Sequence, residues 1–115
     1  MAQDLEQMDA VWAHEPYVRT IHPGNMHADA GWEAVRVGWQ KLFERFPMNE
    51  VSSMPEPHLR VGDDVAWVTG EEPFRARRSS GEVVEATLLA TSVFEKSGDR
   101  WLMVYHHVSV TPPPK

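Results

Sequence analysis

Six histidines and no cysteine carry most of the chemistry open to this chain. An imidazole with an unperturbed pKa of about 6.5 takes up and gives up a proton near neutral pH, so a histidine in a cleft is a candidate general acid or base. His22 is the first candidate. It ends a run of β-formers, Tyr17 to His22, directly before the turn Pro23-Gly24-Asn25. Two readings of it stay open: a proton carrier facing a pocket, or a side chain that only hydrogen-bonds the turn. His106 alternates with Leu102, Val104, Val108 and Val110, which sends it to the interior face of its strand with them. Burial favours the neutral imidazole, so a structural role competes with catalysis there. His107 points to the opposite face, and the adjacent pair therefore does not chelate one metal. His22 and His27 flank a short loop without a third ligand at metal-binding spacing, and no metal site is expected.

Glu72 ends a strand that holds Ala66, Val68 and Gly70 and shares their face, and Ser92 takes a similar place on the next strand. A carboxylate beside His22 or His106 would orient the imidazole and raise its pKa. Glu71-Glu72-Pro73 also reads as ordinary polar strand-end sequence. Trp12, Trp39, Phe43 and Trp67 are large enough to line an apolar cavity, with Val104 and Val108 on the interior face of the last strand. The same spacing also makes such residues plain core. If the cavity stays open, its ligand is a small, largely apolar molecule. Gly-rich phosphate loops, a Gly-x-Ser-x-Gly elbow and zinc signatures are absent, and no cofactor is expected.

The elements that must position these residues follow from periodicity. Asp4 and Gln7 make a capping box for a short helix with Leu5, Met8, Val11 and Trp12 at helical spacing, ending near His14 before Pro16. A short strand over Tyr17 to His22 follows. Trp32, Val35, Trp39, Leu42, Phe43 and Phe46 then form one broad apolar stripe, the main helix, which Pro47 stops. Val51 to Val61, broken by Pro55 and Pro57, reads as an edge strand. Val65 to Phe74, Glu82 to Lys96 and Trp101 to Val110 read as long strands joined by the turn signals Ser79-Ser80-Gly81 and Ser97-Gly98-Asp99. The tail Thr111 to Lys115 carries three prolines and is expected to fray.

Helices followed by hairpin-linked strands predict an α+β domain in which a curved antiparallel sheet wraps the main helix around a pocket. Residues 1–115 read as one domain, with no repeat or linker. The outer face of the last strand, with Trp101, Met103, Tyr105, His107 and Ser109, carries too much aromatic surface for open solvent, so a homodimer through that face is expected. A net charge of −6 argues against nucleic acid as a partner, and the only cationic cluster, Arg75, Arg77 and Arg78, sits at a hairpin end. No apolar run is long enough to span a membrane, and the start Met-Ala-Gln-Asp-Leu-Glu lacks the regions of a signal peptide. Together with the lack of cysteine this fits a cytoplasmic protein with no membrane partner.

Several segments, in this order, resemble the nuclear transport factor 2-like superfamily, including its SnoaL-like and ketosteroid isomerase-like branches. They are Asp4-Leu5-Glu6-Gln7-Met8, Ile21-His22-Pro23, Gly31-Trp32-Glu33-Ala34-Val35-Arg36, Val61-Gly62-Asp63-Asp64-Val65-Ala66-Trp67-Val68-Thr69-Gly70, and Gly98-Asp99-Arg100-Trp101 leading to His106-His107-Val108-Ser109. The resemblance implies a cone-shaped fold whose strongly bent sheet encloses helices and a pocket, commonly dimeric through its convex face. Members usually begin with a longer helix before the Asp4 segment that helps close the pocket mouth. Its absence here implies a wider pocket, or one covered by a partner chain. In isomerase-like relatives the strand end before the proline carries an acidic general base, a place taken here by His22. In the kinase II association domain the positions of Glu72 and Ser92 are pocket arginines that grip a carboxylate, so their replacement argues against an anionic ligand. The resemblance leaves two functions open: a cofactor-free isomerase, cyclase or hydrolase using His22, assisted by His106 or Glu72, or a non-catalytic dimeric binding or assembly module. Steroid isomerase activity is not expected, since neither the first helix nor a second oxyanion donor is present.

Overall fold

A computed structural model describes residues 5–46, 48–51 and 54–111. The elements in chain order are α1 (Leu5–Val11), β1 (Arg19–Ile21), β2 (Asp29–Ala30), α2 (Trp32–Arg45), β3 (Met48–Val51), β4 (His58–Val61), β5 (Val65–Arg77), β6 (Val83–Ser97) and β7 (Arg100–Val110). Asp4 of the expected capping box, the helix-stopping Pro47 and the tail from Pro112 lie outside the described residues. The fold is α+β, with a curved sheet of seven strands that does not close. Its order is β2-β1-β7-β6-β5-β3, and β4 also pairs with β5.

The hairpins β5–β6 and β6–β7 form as their turn residues predict. The expected all-antiparallel sheet is instead mixed, because β1 runs parallel to β7, with Thr20 opposite His106. The long edge strand expected over Val51 to Val61 is instead two short strands, β3 and β4, both laid against β5. The Pro55 to Pro57 stretch separates them, since proline has no N–H to give the ladder. The two-residue β2 is too short to leave any periodic signal.

The strict alternation read for β7 also breaks. Val93 pairs with Tyr105 but Phe94 pairs with Met103, so Val104 is the extra residue of a bulge. Met103, placed by alternation on the outer face, packs on the core instead, as does Leu102.

The core joins both helices to the sheet through Trp12, Ala13, Val18, Val35, Trp39 and Val104. The stripe predicted for α2 supplies Val35 and Trp39, with Trp32, Leu42 and Phe43 packed around them. The chain leaving α1 is stitched to β7, where the Ala13 N–H donates to the Met103 carbonyl at 2.9 Å. Gly31 opens α2 at φ 85° and ψ 157°, a conformation essentially reserved for glycine. That turn lets its N–H donate to the Val18 carbonyl while its own carbonyl accepts from Val35, so α2 starts directly beside β1.

Candidate functional site

His22 follows β1, and its ring is buried edge-on against Trp39, with centroids 4.6 Å apart at 84°. The turn after it is closed by the backbone, the Asn25 N–H donating to the His22 carbonyl at 3.0 Å. Among the described residues no hydrogen bond from the ring to this turn is found. Nε2 is buried and finds no hydrogen-bond partner among the described residues. Burial lowers the His22 pKa below its ordinary 6.5, and the charge of Asp29 partly offsets this. The imidazole is therefore neutral at pH 7.

His106 faces the same interior. Across the inner side of the sheet, Thr20, His106, Ser92 and Val68 stand in one row of paired positions. The Ser92 hydroxyl and His106 Nδ1 share a hydrogen bond of 2.7 Å, and the Thr20 hydroxyl donates to the His106 carbonyl at 3.2 Å. Trp39 lies between the two histidines, 5.5 Å from the His106 ring. Burial, then repulsion from His22 and His107, pushes the His106 pKa down to about 4.

Two neutral buried histidines make stability depend on pH with a definite sign. Their folded pKa values lie below the unfolded ones, so the unfolded chain binds more protons through that window. The His106 contribution is complete above about pH 6.5 and is lost as pH falls toward 4, on the order of 3 kcal/mol, and the His22 contribution has the same sign. Glu72 opposes this, since burial raises its pKa. Urea unfolding at pH 7 and pH 4.5 should show the loss, and His106→Asn, which keeps a partner for Ser92 without a titrating ring, should shrink it. Equal losses in both proteins would remove His106 as the cause.

Glu72 does stand on the inner face, but two rows of residues beyond Val68, roughly 13 Å along the strand from the His106 row. It is not the carboxylate beside His22. That group is Asp29 of β2. A pocket of about 540 Å³ lies where the loop after β1 meets α2, and its wall includes His22, Asn25, Asp29, Gly38, Lys41 and Arg45. The aromatic and apolar set expected to line a cavity does not line this one. Trp12 and Val104 are core, Trp39 and Phe43 pack on each other at 5.7 Å, and Ser92 and Val108 are buried on the sheet. Trp67 is 39% exposed, on the opposite face of β5 from buried Ala66. The physical reason is that α2 spends its apolar stripe on the sheet, so the pocket forms over the neighbouring, charged side of the helix. Asp29 and Gly38 escaped the sequence reading. The available signal was a glycine inside a helical pattern, which often marks a close approach.

The family model described as SnoaL-like domain matches residues 1–113. The chain belongs to the SnoaL-like domain family. This SnoaL-like domain is 31% identical over 106 residues to the F-box protein SKIP8 of Arabidopsis thaliana, covering 92% of this chain and 42% of that protein. It thus spans less than half the length of that curated relative. Among solved structures it is similar to a nuclear transport factor 2-like superfamily protein from Salmonella enterica (TM-score 0.83, 19% identity, 97% of this chain and 80% of that one). A candidate calcium/calmodulin-dependent protein kinase type II association domain from Thiobacillus denitrificans is similar at 30% identity (TM-score 0.73, 95% and 83%). A ketosteroid isomerase-like protein from Erwinia carotovora atroseptica shares the fold at 17% identity (TM-score 0.77, 96% and 83%). No helix among the described residues is long and apolar enough to cross a membrane.

Proposed function

We propose that this SnoaL-like domain binds a small molecule in the pocket beside His22, and that His22 serves it as a general acid/base without a cofactor. One observation carries the reading: His22, whose buried Nε2 finds no hydrogen-bond partner among the described residues, forms part of a pocket wall. A buried polar atom without a partner costs about 1–3 kcal/mol, which a small turn of the ring toward a polar ligand atom in the pocket would recover. A neutral histidine is also the form that can accept a proton from an acidic carbon or hydroxyl. Ala34, Val37 and Leu42 offer the ligand an apolar strip, and the flanking charges accommodate polar groups. The substrate class that fits is a small carbonyl or polyketide-like compound with an apolar edge and polar groups, and the reaction class is proton transfer of the isomerase, cyclase or hydrolase type. The test is exchange of His22 for Gln, with binding and turnover followed separately.

A second reading has its own support. Trp67 and Leu89, exposed by 39% and 44%, stand on the outer face of the sheet in the same phase as Tyr105. Covering that face with a second copy would make the chain a dimeric assembly module, with or without catalysis. Sedimentation velocity at micromolar concentration should then show a dimer that Trp67→Glu dissociates. A monomer at all concentrations removes this reading and leaves the pocket untouched.

A further inference from the structure

We infer that Asp29 is the positioning residue for His22, and that Gly38 is the slot in α2 through which its carboxylate reaches the ring. The inference rests on the pocket reading above and adds to it a second group with a defined task.

Gly38 lies in the middle of a fourteen-residue helix, where glycine costs about 1 kcal/mol relative to alanine. Its φ requires no glycine, so backbone conformation does not explain it. The space does. A Cβ there would collide with the Asp29 carboxylate, whose Cγ would lie 3.2 Å away, and would touch His22 Cδ2 at 3.6 Å. The carboxylate and the edge of the imidazole thus rest on the same bare stretch of helix and are neighbours. Asp29 is held there by β2, whose two residues pair with Arg19 and Thr20 of β1, the strand that leads into His22. Both ends of the 22–29 loop are therefore tied to one strand, and the loop returns its acid to its own histidine.

The consequence is electrostatic. Burial disfavours the protonated form of His22 and so works against its accepting a proton. An ionised carboxylate beside the ring favours the imidazolium, and His22 feels Asp29 in that direction. When a ligand gives up a proton, the proton resides on the imidazole, and the Asp29 carboxylate lies near the new positive charge. The other titratable or charged groups around His22 are Glu33, Lys41 and Arg45 of α2, which share the pocket wall, and His106 of β7. Lys41 and Arg45 oppose the imidazolium, His106 is itself neutral at pH 7, and Glu33 is carried on the exposed side of α2. Asp29 is the carboxylate that shares the Gly38 gap with the ring edge and whose charge His22 feels.

The experiment is a pH titration of the histidine ring signals by NMR on the intact chain, with the His22 signal identified by its loss in His22→Gln. Asp29→Asn should move the His22 midpoint to lower pH. Gly38→Ala, which displaces the carboxylate without altering any charge, should move it in the same direction, and should add nothing in the Asp29→Asn background. Preserved signals for the other histidines report that the fold is intact. An unmoved midpoint in both single variants overturns the inference, as does Gly38→Ala that simply stabilises the helix and leaves His22 unchanged. The readout needs no substrate. A moved midpoint together with undiminished turnover in His22→Gln would keep the pairing and discard the catalytic reading, so the two fail separately.

Discussion

His22→Gln is expected to lower turnover of any substrate the chain converts by about 10²–10⁴-fold, the span of a positioned general acid/base. Gln fills similar space beside Trp39 and retains a polar terminus, but it cannot carry the proton. Ligand binding, measured by calorimetry or by shifts at pocket residues, should weaken far less than turnover. That split separates loss of chemistry from loss of shape. The pH profile sharpens the test. Burial sets the His22 pKa below 6.5. The wild-type rate should fall on the acid side as the imidazole takes up a proton, and the residual rate of His22→Gln should not follow that fall. Full turnover in the variant would pass the pocket's function to binding alone.

Trp39→Ala is expected to destabilise the chain by about 3–5 kcal/mol, near the top of the range for a single core substitution. Trp39 is 7% exposed and touches three rings, with centroids 4.6 Å away at His22, 5.7 Å at Phe43 and 5.5 Å at His106. Its indole packs against both histidine rings, so its loss removes the transfer free energy of an indole and opens a cavity under the site. The indole N–H has no hydrogen-bond partner among the described residues, so the cost is one of packing, with no hydrogen bond lost. Trp39→Phe should recover most of the stability, because the ring contacts persist. Urea denaturation at pH 7 measures both variants, and a cost below about 1 kcal/mol for Trp39→Ala would mean that the interior is far looser than these contacts imply.

The two effects are linked through one wall of the pocket. Trp39 covers the inner edge of His22, and Asp29 approaches along the gap at Gly38. A substitution that loosens Trp39 should therefore hydrate His22 and raise its pKa toward the ordinary value, since burial is the main cause of its depression.

Much of this molecule could be read in its residues because the signals are local. Six apolar positions at helical spacing define α2, and turn residues between β-branched and aromatic runs define β5, β6 and β7. The inward direction of His106 follows from alternation alone, since Val104, His106 and Val108 are all buried. The placement of His22 just after a strand and before a turn is equally local.

What tertiary structure decided is which of these residues share a space. Pairing β1 in parallel with β7 puts Thr20 and His106 in one row, a choice made by two segments about eighty-six positions apart. The bulge at Val104 reverses the phase of Met103, because one added residue flips a period-two pattern. The acid near His22 is Asp29 and not Glu72, since the distance between side chains depends on how the loop returns and where α2 leaves a gap. Periodicity tells a side chain which way to point, and only the packed chain tells it what it meets there.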